Sequence, residues 1–190
     1  ETDSDVLGYE FADGNSYVTG YTNADLDEDG TGVLTGTYDV YVAKYHTDGT
    51  QLWVRQLGVT GVGTYGNSVA VDPAGNCYVT GNTGGGLYGN TQTSDESDVF
   101  VLKYNTNGAI QWVKQMVVAL KNTYGFGIAA DADGNSYITG NTQGDLDGAG
   151  PGVLVGYPDV YVMKYNTSGD LVAQTDLRRG KIWHWTRHSA

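Results

Sequence analysis

The sequence predicts an all-β fold built from β-propeller blades, arranged as three four-stranded antiparallel meanders. Three observations predict it: a motif that returns at regular intervals, a second motif in the same register, and a composition suited to tight turns. The 190 residues include 29 Gly and 15 Tyr but only 3 Pro, and 17% of them are charged. This composition favours many short strands over long helices.

Two motifs recur in the chain. Variants of Gly-Asn-Ser-Tyr-Val-Thr-Gly occupy residues 14–20, 75–81 and 134–140. Variants of Asp-Val-Tyr-Val-Ala-Lys-Tyr occupy residues 39–45, 98–104 and 159–165. The first motif is spaced by 61 and 59 residues. Because two independent motifs keep one register, the chain is a tandem repeat.

The second copy shows what one repeat builds. Its four strand patterns occupy residues 68–72, 77–80, 98–104 and 109–115. Pro-Ala-Gly-Asn joins the first pair and Asn-Thr-Asn-Gly joins the second, and both are typical of tight turns. One copy is therefore a four-stranded antiparallel meander, the unit of a propeller blade. The predicted divisions are blade 1 (1–60), blade 2 (61–119), blade 3 (120–176) and a non-repeat basic tail (177–190).

The charge distribution limits the partners. The tail holds four basic residues and no acid, so the remainder carries 22 acids against 6 bases. Such an acidic body repels phosphate backbones and attracts divalent cations, which argues against a nucleic-acid partner. No apolar run reaches the ~18 residues that a bilayer span requires, so no membrane span is expected.

The repeat resembles the bacterial and archaeal SBBP family, named for its seven-bladed β-propeller repeat. The resembling elements are residues 75–81, residues 98–104, and Gly108 with Trp112, and the likeness covers about residues 4–176. Membership implies a propeller, usually within large secreted or surface-attached proteins, and no common enzymatic activity. An extracellular or cell-surface location is therefore expected.

Three blades do not close a ring, since closed propellers have about 4 to 8. A lone arc would expose apolar blade faces that stacking normally buries. Either the chain is part of a longer propeller, or a homodimer closes a six-bladed ring.

Residues present in every copy argue against catalysis. They are Lys44, Lys103 and Lys164, followed by Tyr45, Tyr104 and Tyr165. An active site needs one convergent set of different groups, so a threefold Lys-Tyr is expected to be architectural. Trp53 and Trp112 are likewise expected to pack between blades, although blade 3 has Ala173 at that position. Cys77 replaces a serine of the other copies and is expected to be a small buried residue.

Binding is expected at the end of the blades that carries the long connections. Long loops on a rigid scaffold commonly hold binding residues, although a solvated spacer is an open alternative. The candidate residues are the loop aromatics Tyr38, Tyr88 and Tyr157, which would bind a protein or a glycan.

Acids in the long loops form a candidate calcium site. The candidate ligands are Asp25, Asp27, Asp29, Asp39, Asp145 and Asp147. In blade 1 three acids at alternate positions precede Gly30, a spacing that lets their oxygens converge. Gly36 stands at the twelfth position, where an EF-hand needs Glu, so an EF-hand is excluded. A solvated acidic loop is the alternative.

The predicted function is a non-catalytic, extracellular interaction module that calcium stabilises. A purely structural spacer in a large surface protein is the first alternative. An enzyme with its site at the axis of a completed propeller is the second. The sequence holds no nucleophile elbow, zinc-protease motif or phosphate loop, which disfavours standard hydrolases and nucleotide enzymes.

Overall fold

The computed structural model describes residues 3–26, 34–91, 96–118, 120–144, 146, 158–176 and 181–184. Within these ranges the only helical segment is a short 3-10 turn, Leu87–Gly89. No helix in the described ranges is long and apolar enough to cross a membrane.

The strands follow one another along the chain. Blade 1 comprises β1 (Ser4–Ala12), β2 (Asn15–Thr22), β3 (Asp39–Tyr45) and β4 (Gln51–Leu57). Blade 2 comprises β5 (Thr64–Val71), β6 (Cys77–Thr83), β7 (Asp98–Tyr104) and β8 (Ile110–Met116). Blade 3 comprises β9 (Thr123–Ala130), β10 (Ser136–Thr142), β11 (Asp159–Tyr165) and β12 (Leu171–Asp176), and β13 (Lys181–His184) follows it.

Each blade is an antiparallel meander in which neighbouring strands along the chain pair in space. The predicted all-β fold of three four-stranded blades is confirmed. The tail adds β13 as a fifth strand on the outer edge of blade 3, with Ala173 opposite His184. The tail therefore adds a strand to the four-strand pattern of the repeat and extends the sheet of blade 3.

The turns that join first to second strands are built by Asp and Gly. In blade 1 the turn is the two residues Asp13 and Gly14, at φ 53° and 72°, the geometry that suits the twist of a hairpin. Blades 2 and 3 have longer turns here, in which Asp72 and Asp131 accept the backbone N–H of Asn76 and Asn135 at 2.9 Å. These local hydrogen bonds fix where each second strand begins.

The core lies between the blades. Blade 1 packs on blade 2 through one cluster, which includes Tyr17, Val42, Trp53, Val69, Val79 and Leu102. Blade 2 packs on blade 3 through a second, which includes Val99, Val101, Ile138, Tyr161 and Met163. Cys77 is fully buried in the first cluster, and burial raises the pKa of its thiol, so the expected small buried residue is confirmed.

A glycine lets the first strands of blades 2 and 3 approach the preceding blade. A Cβ on Gly66 would lie 2.5 Å from both Thr19 Oγ1 and Val40 Cγ2. A Cβ on Gly125 would lie 2.4 Å from Thr80 Oγ1, so blades 2 and 3 share the requirement. Any side chain at these positions would push the blades apart.

Candidate functional site

Two of the recurring lysines, Lys44 and Lys103, join neighbouring blades. Lys44 Nζ lies 5.1 Å from the centre of the Tyr17 ring and donates to the carbonyl of Thr106 in blade 2 at 3.5 Å. Lys103 makes the matching contacts between blades 2 and 3. The ring under Lys44 belongs to its cross-strand partner Tyr17 rather than to Tyr45, because adjacent strand residues point to opposite faces. The lysines are architectural.

The tryptophans have the same role. Trp53 Nε1 donates to the carbonyl of Thr106 at 3.1 Å, and Trp112 Nε1 donates to that of Thr167 at 3.0 Å. Each indole thus binds the turn of the following blade, as the sequence predicts. Ala173 takes this position in blade 3, where no indole is available.

The two ends of the blades differ in charge. The connections from second to third strands and from fourth to next first strands form the long-loop end, residues 23–38, 58–63, 84–97, 117–122 and 143–158. They contain one base, Lys121, and eight acids: Asp25, Asp27, Glu28, Asp29, Asp95, Glu96, Asp145 and Asp147.

The other connections form the short-turn end. Five of the six bases before the tail contact this end: Lys44, Arg55, Lys103, Lys114 and Lys164. Lys164, in the last described blade, lies 3.9 Å from the carboxylate of Asp131. Bases therefore collect at the short-turn end, and the long-loop end is left strongly acidic.

Three tyrosine rings meet at the long-loop end, where blades 1 and 2 adjoin. The centre of the Tyr21 ring lies 5.3 Å from that of Tyr38 and 5.1 Å from that of Tyr65, and the last two are 5.7 Å apart. We call Tyr21, Tyr38 and Tyr65 the tyrosine trio. All three are half-buried, so each keeps some ring surface in water.

A carboxylate adjoins the tyrosine trio. The Tyr21 hydroxyl donates to Asp5 Oδ2 at 3.2 Å, across the β1–β2 pair. Partial burial, and then this hydrogen bond to Asp5, raise the pKa of Tyr21. The site thus combines aromatic surface with negative charge.

Of the trio, the sequence had singled out Tyr38 and missed Tyr21 and Tyr65. Tyr21 holds a position where blades 2 and 3 have Asn82 and Asn141, which pair with the third strand in the same register. The departure from asparagine at this one position was the sequence signal that could have identified Tyr21.

The other two predicted aromatics lie elsewhere. Tyr88 is 60% exposed in the 3-10 turn and has a positive φ of 53°. No ring contact joins it to the tyrosine trio among the described residues. Tyr157 lies outside the described residues. Binding by these tyrosines stays a prediction.

The two described calcium candidates hold the backbone of their own loop. Asp39 is fully buried, and its carboxylate accepts the N–H groups of Thr35 at 2.8 Å and Gly36 at 2.7 Å. The carboxylate of Asp25 accepts the N–H of Leu34. Both acids therefore close the long loop of blade 1 from opposite ends.

The remaining calcium candidates, Asp27, Asp29, Asp145 and Asp147, lie outside the described residues. In the part of the chain that the structure describes, no three His, Cys, Asp or Glu side chains form a metal site. Calcium binding stays a prediction.

A recurring acid and a glutamine hold the loop that carries Tyr88. Asp98, the equivalent of Asp39, accepts from Gln115 Nε2 at 2.9 Å, and burial raises the pKa of its carboxyl. Gln115 also donates to the Gly85 carbonyl at 3.1 Å and accepts the Leu87 N–H at 2.9 Å. This loop is thus tied to the scaffold by the partly buried side chain of Gln115, which the buried carboxylate of Asp98 holds in place.

Comparison with known families identifies a repeat family. The model described as SBBP, Beta-propeller repeat, matches residues 52–89 and 111–147. Each match starts in the last strand of one blade and ends in the long loop of the next. No curated protein is similar enough to match the chain.

Proposed function

We propose that this chain, which carries SBBP beta-propeller repeats, is a secreted or cell-surface interaction module that binds a protein partner through its long-loop end. The observation that carries the proposal is the tyrosine trio, three half-buried residues that meet at the long-loop end of the junction between blades 1 and 2. Tyrosine offers a large apolar face and a polar tip at little entropic cost, and such residues often dominate protein interfaces.

The difference between the two ends supports the choice of the long-loop end. At the short-turn end the side chains of Trp53, Arg55 and Lys44 are already bound to the turn of the next blade. At the long-loop end the loops are anchored from below by Asp39 and Gln115, which leaves their outer surfaces for a partner. Binding of this kind requires no catalytic group.

The long-loop proposal is tested with a random peptide library panned against the immobilised chain. We expect enriched sequences whose binding is lost in Tyr38→Ala and retained in Asn107→Ala, a change in a short turn. Melting curves of both variants verify that they fold. Failure to enrich any sequence, or equal binding by both variants, would favour the structural spacer.

Calcium belongs to the same proposal as a stabiliser of the long loops. If Asp25, Asp27 and Asp29 bind the ion only in the folded state, calcium raises the melting temperature by mass action. Magnesium should raise it less, because it prefers a tighter octahedral shell. Melts of the parent and Asp27→Ala with calcium, magnesium or chelator test this. Equal melting temperatures of the parent in calcium and chelator would remove the site.

A further inference from the structure

We infer that the tyrosine trio, together with Asp5, seats a lysine or arginine side chain of a basic protein segment. This inference rests on the proposed function and names the chemistry of the partner. Three observations carry it: the faces of the rings, the carboxylate beside them, and the charge of the surrounding end.

The rings define where the basic group would lie. Their centres are 5.1 to 5.7 Å apart, so the rings pack against one another and leave no space between them. A ligand therefore lies on their outer faces. Tyrosine faces carry negative electrostatic potential, and a cation within about 6 Å of a ring centre is attracted to them.

The carboxylate adds direction. Asp5 Oδ2 already accepts the Tyr21 hydroxyl, which fixes the carboxylate at the rim of the rings. A carboxylate has about four acceptor positions, so the side chain retains capacity for an ammonium or a guanidinium donor. A cation lying on the ring of Tyr21 would therefore meet a formal negative charge at its edge.

The surrounding charge selects the same ligand. The connections of the long-loop end hold eight acids and one base, and Lys121 lies in the connection between blades 2 and 3, not beside the trio. Asp3 and Asp5 both act on Tyr21 electrostatically, which raises its pKa further. A basic segment would be drawn to this end over several ångströms, and more strongly at low salt.

The experiment measures binding of three short fluorescent peptides of equal length, with Gly-Arg, Gly-Gln or Gly-Glu repeats, and of a neutral oligosaccharide. We expect the Arg peptide to bind at least about tenfold more tightly than the Gln peptide, and to weaken as salt increases. The Glu peptide should not bind.

Variants then locate the site. Tyr38→Ala and Asp5→Asn should each weaken the Arg peptide by about threefold to tenfold. The matched controls are Tyr9→Ala, a 70% exposed tyrosine in the middle of β1, and Asp48→Asn, an acid at the short-turn end, and both should bind as the parent does. Melting temperatures confirm that each variant is folded.

Three outcomes overturn the inference. Equal affinity for the Arg and Gln peptides would remove the basic ligand. Arg-peptide binding unchanged in Tyr38→Ala would place the cation elsewhere on the acidic surface. Binding of the oligosaccharide or the Gln peptide that Tyr38→Ala abolishes would overturn the basic ligand and still support the long-loop end as a binding surface.

Discussion

Within the described residues, blade 2 packs against a neighbouring blade on both faces and blade 1 on one face, and the first strands of the two blades differ. β5 and β1 pair with their second strands in the same register and carry a bulge at the same place. Where β5 has Gly66 and a buried Val69, β1 has Val6 and Tyr9, which are 57% and 70% exposed. The first two strands therefore pair in the same register in both blades. A few side chains on the first strand determine whether another blade can pack against its face.

The first strand of blade 1 affects how another blade could pack against it to close a ring. Val6 takes the position at which Gly66 and Gly125 meet the preceding blade. A blade seated on blade 1 in the geometry of the internal interfaces would collide with the Val6 side chain. Closure of the ring by a second copy stays a prediction. It requires that the two blades at the interface between copies lie further apart than the blades at the two internal interfaces.

The largest expected effect comes from giving blade 2 the valine of blade 1. In Gly66→Val the added Cβ would overlap Thr19 and Val40, so we expect a loss of about 4 kcal/mol of unfolding free energy, or failure to fold. Urea unfolding measures it. The matched control, Val6→Ala, removes an exposed side chain and should cost less than about 1 kcal/mol. Equal stability of the two variants would show that the internal interface tolerates a side chain here.

Removing an indole from a covered face comes next. Trp53→Ala should cost about 3 to 4 kcal/mol, because the cavity and the lost hydrogen bond to Thr106 add. Trp53→Phe, which keeps most of the packing, should cost about 1 kcal/mol. Leu52→Ala, on the same strand and 48% exposed, is the control and should cost less than Trp53→Phe. A Trp53→Ala loss no larger than that of Leu52→Ala would contradict the packing role.

Alkaline pH should open the covered interfaces. Burial raises the pKa of the tyrosines in them, to about 12 for Tyr165, and raises those of Tyr78, Tyr104 and Tyr161 as well. The pKa of each of these tyrosines is higher in the folded chain than in the unfolded chain. Their contribution to the free energy of unfolding is therefore complete below pH ~10 and is lost as the pH rises above it. Together they should cost about 3 kcal/mol at pH ~10.5. Unfolding measured from pH ~8 to ~11 tests this, and a flat profile would contradict it.

The smallest effect separates two equivalent hydroxyls. Tyr78 Oη lies 2.9 Å from Asp72 Oδ2 and 2.8 Å from the carbonyl of Gly134 in the next blade, whereas Tyr137 Oη lies 3.0 Å from Asp131 Oδ2 within its own blade. Tyr78→Phe should therefore cost about 1 to 2 kcal/mol, and Tyr137→Phe about half of that or less. Thermal melts of the two variants decide it. A larger loss in Tyr137→Phe would show that the link between blades is unimportant.

The fold was predictable because each blade is encoded locally. Hairpin turns, alternating strands and the recurring Lys44 motif specify a meander without reference to other blades. The burial of Cys77 was also predictable, because the other copies have a small residue, serine, at its position. Contacts within one repeat leave the same signal three times, so a single sequence suffices to find them.

The candidate site was only partly predictable, because it depends on how two blades lie against each other. Tyr21 and Tyr65 are separated by 44 positions and lie in different sheets, so no local pattern brings them together. Tyr38 was visible as a loop aromatic, but its neighbours were not. The glycine requirement at Gly66 was missed for the same reason, since it arises from the approach of Thr19.

At the short-turn end, the side-chain hydrogen bonds that link the described blades run from donors in one blade to carbonyl groups in the blade that follows it. Trp53 and Arg55 of blade 1 bind Thr106 and Gly108, which lie 53 residues further along the chain. A ribosome adds about 5 to 20 residues per second, so several seconds pass between synthesis of these donors and synthesis of their acceptors. During synthesis, the side-chain donors of the newest blade therefore lack their acceptors. The blade before it is stabilised once the short turn of the newest blade has been made.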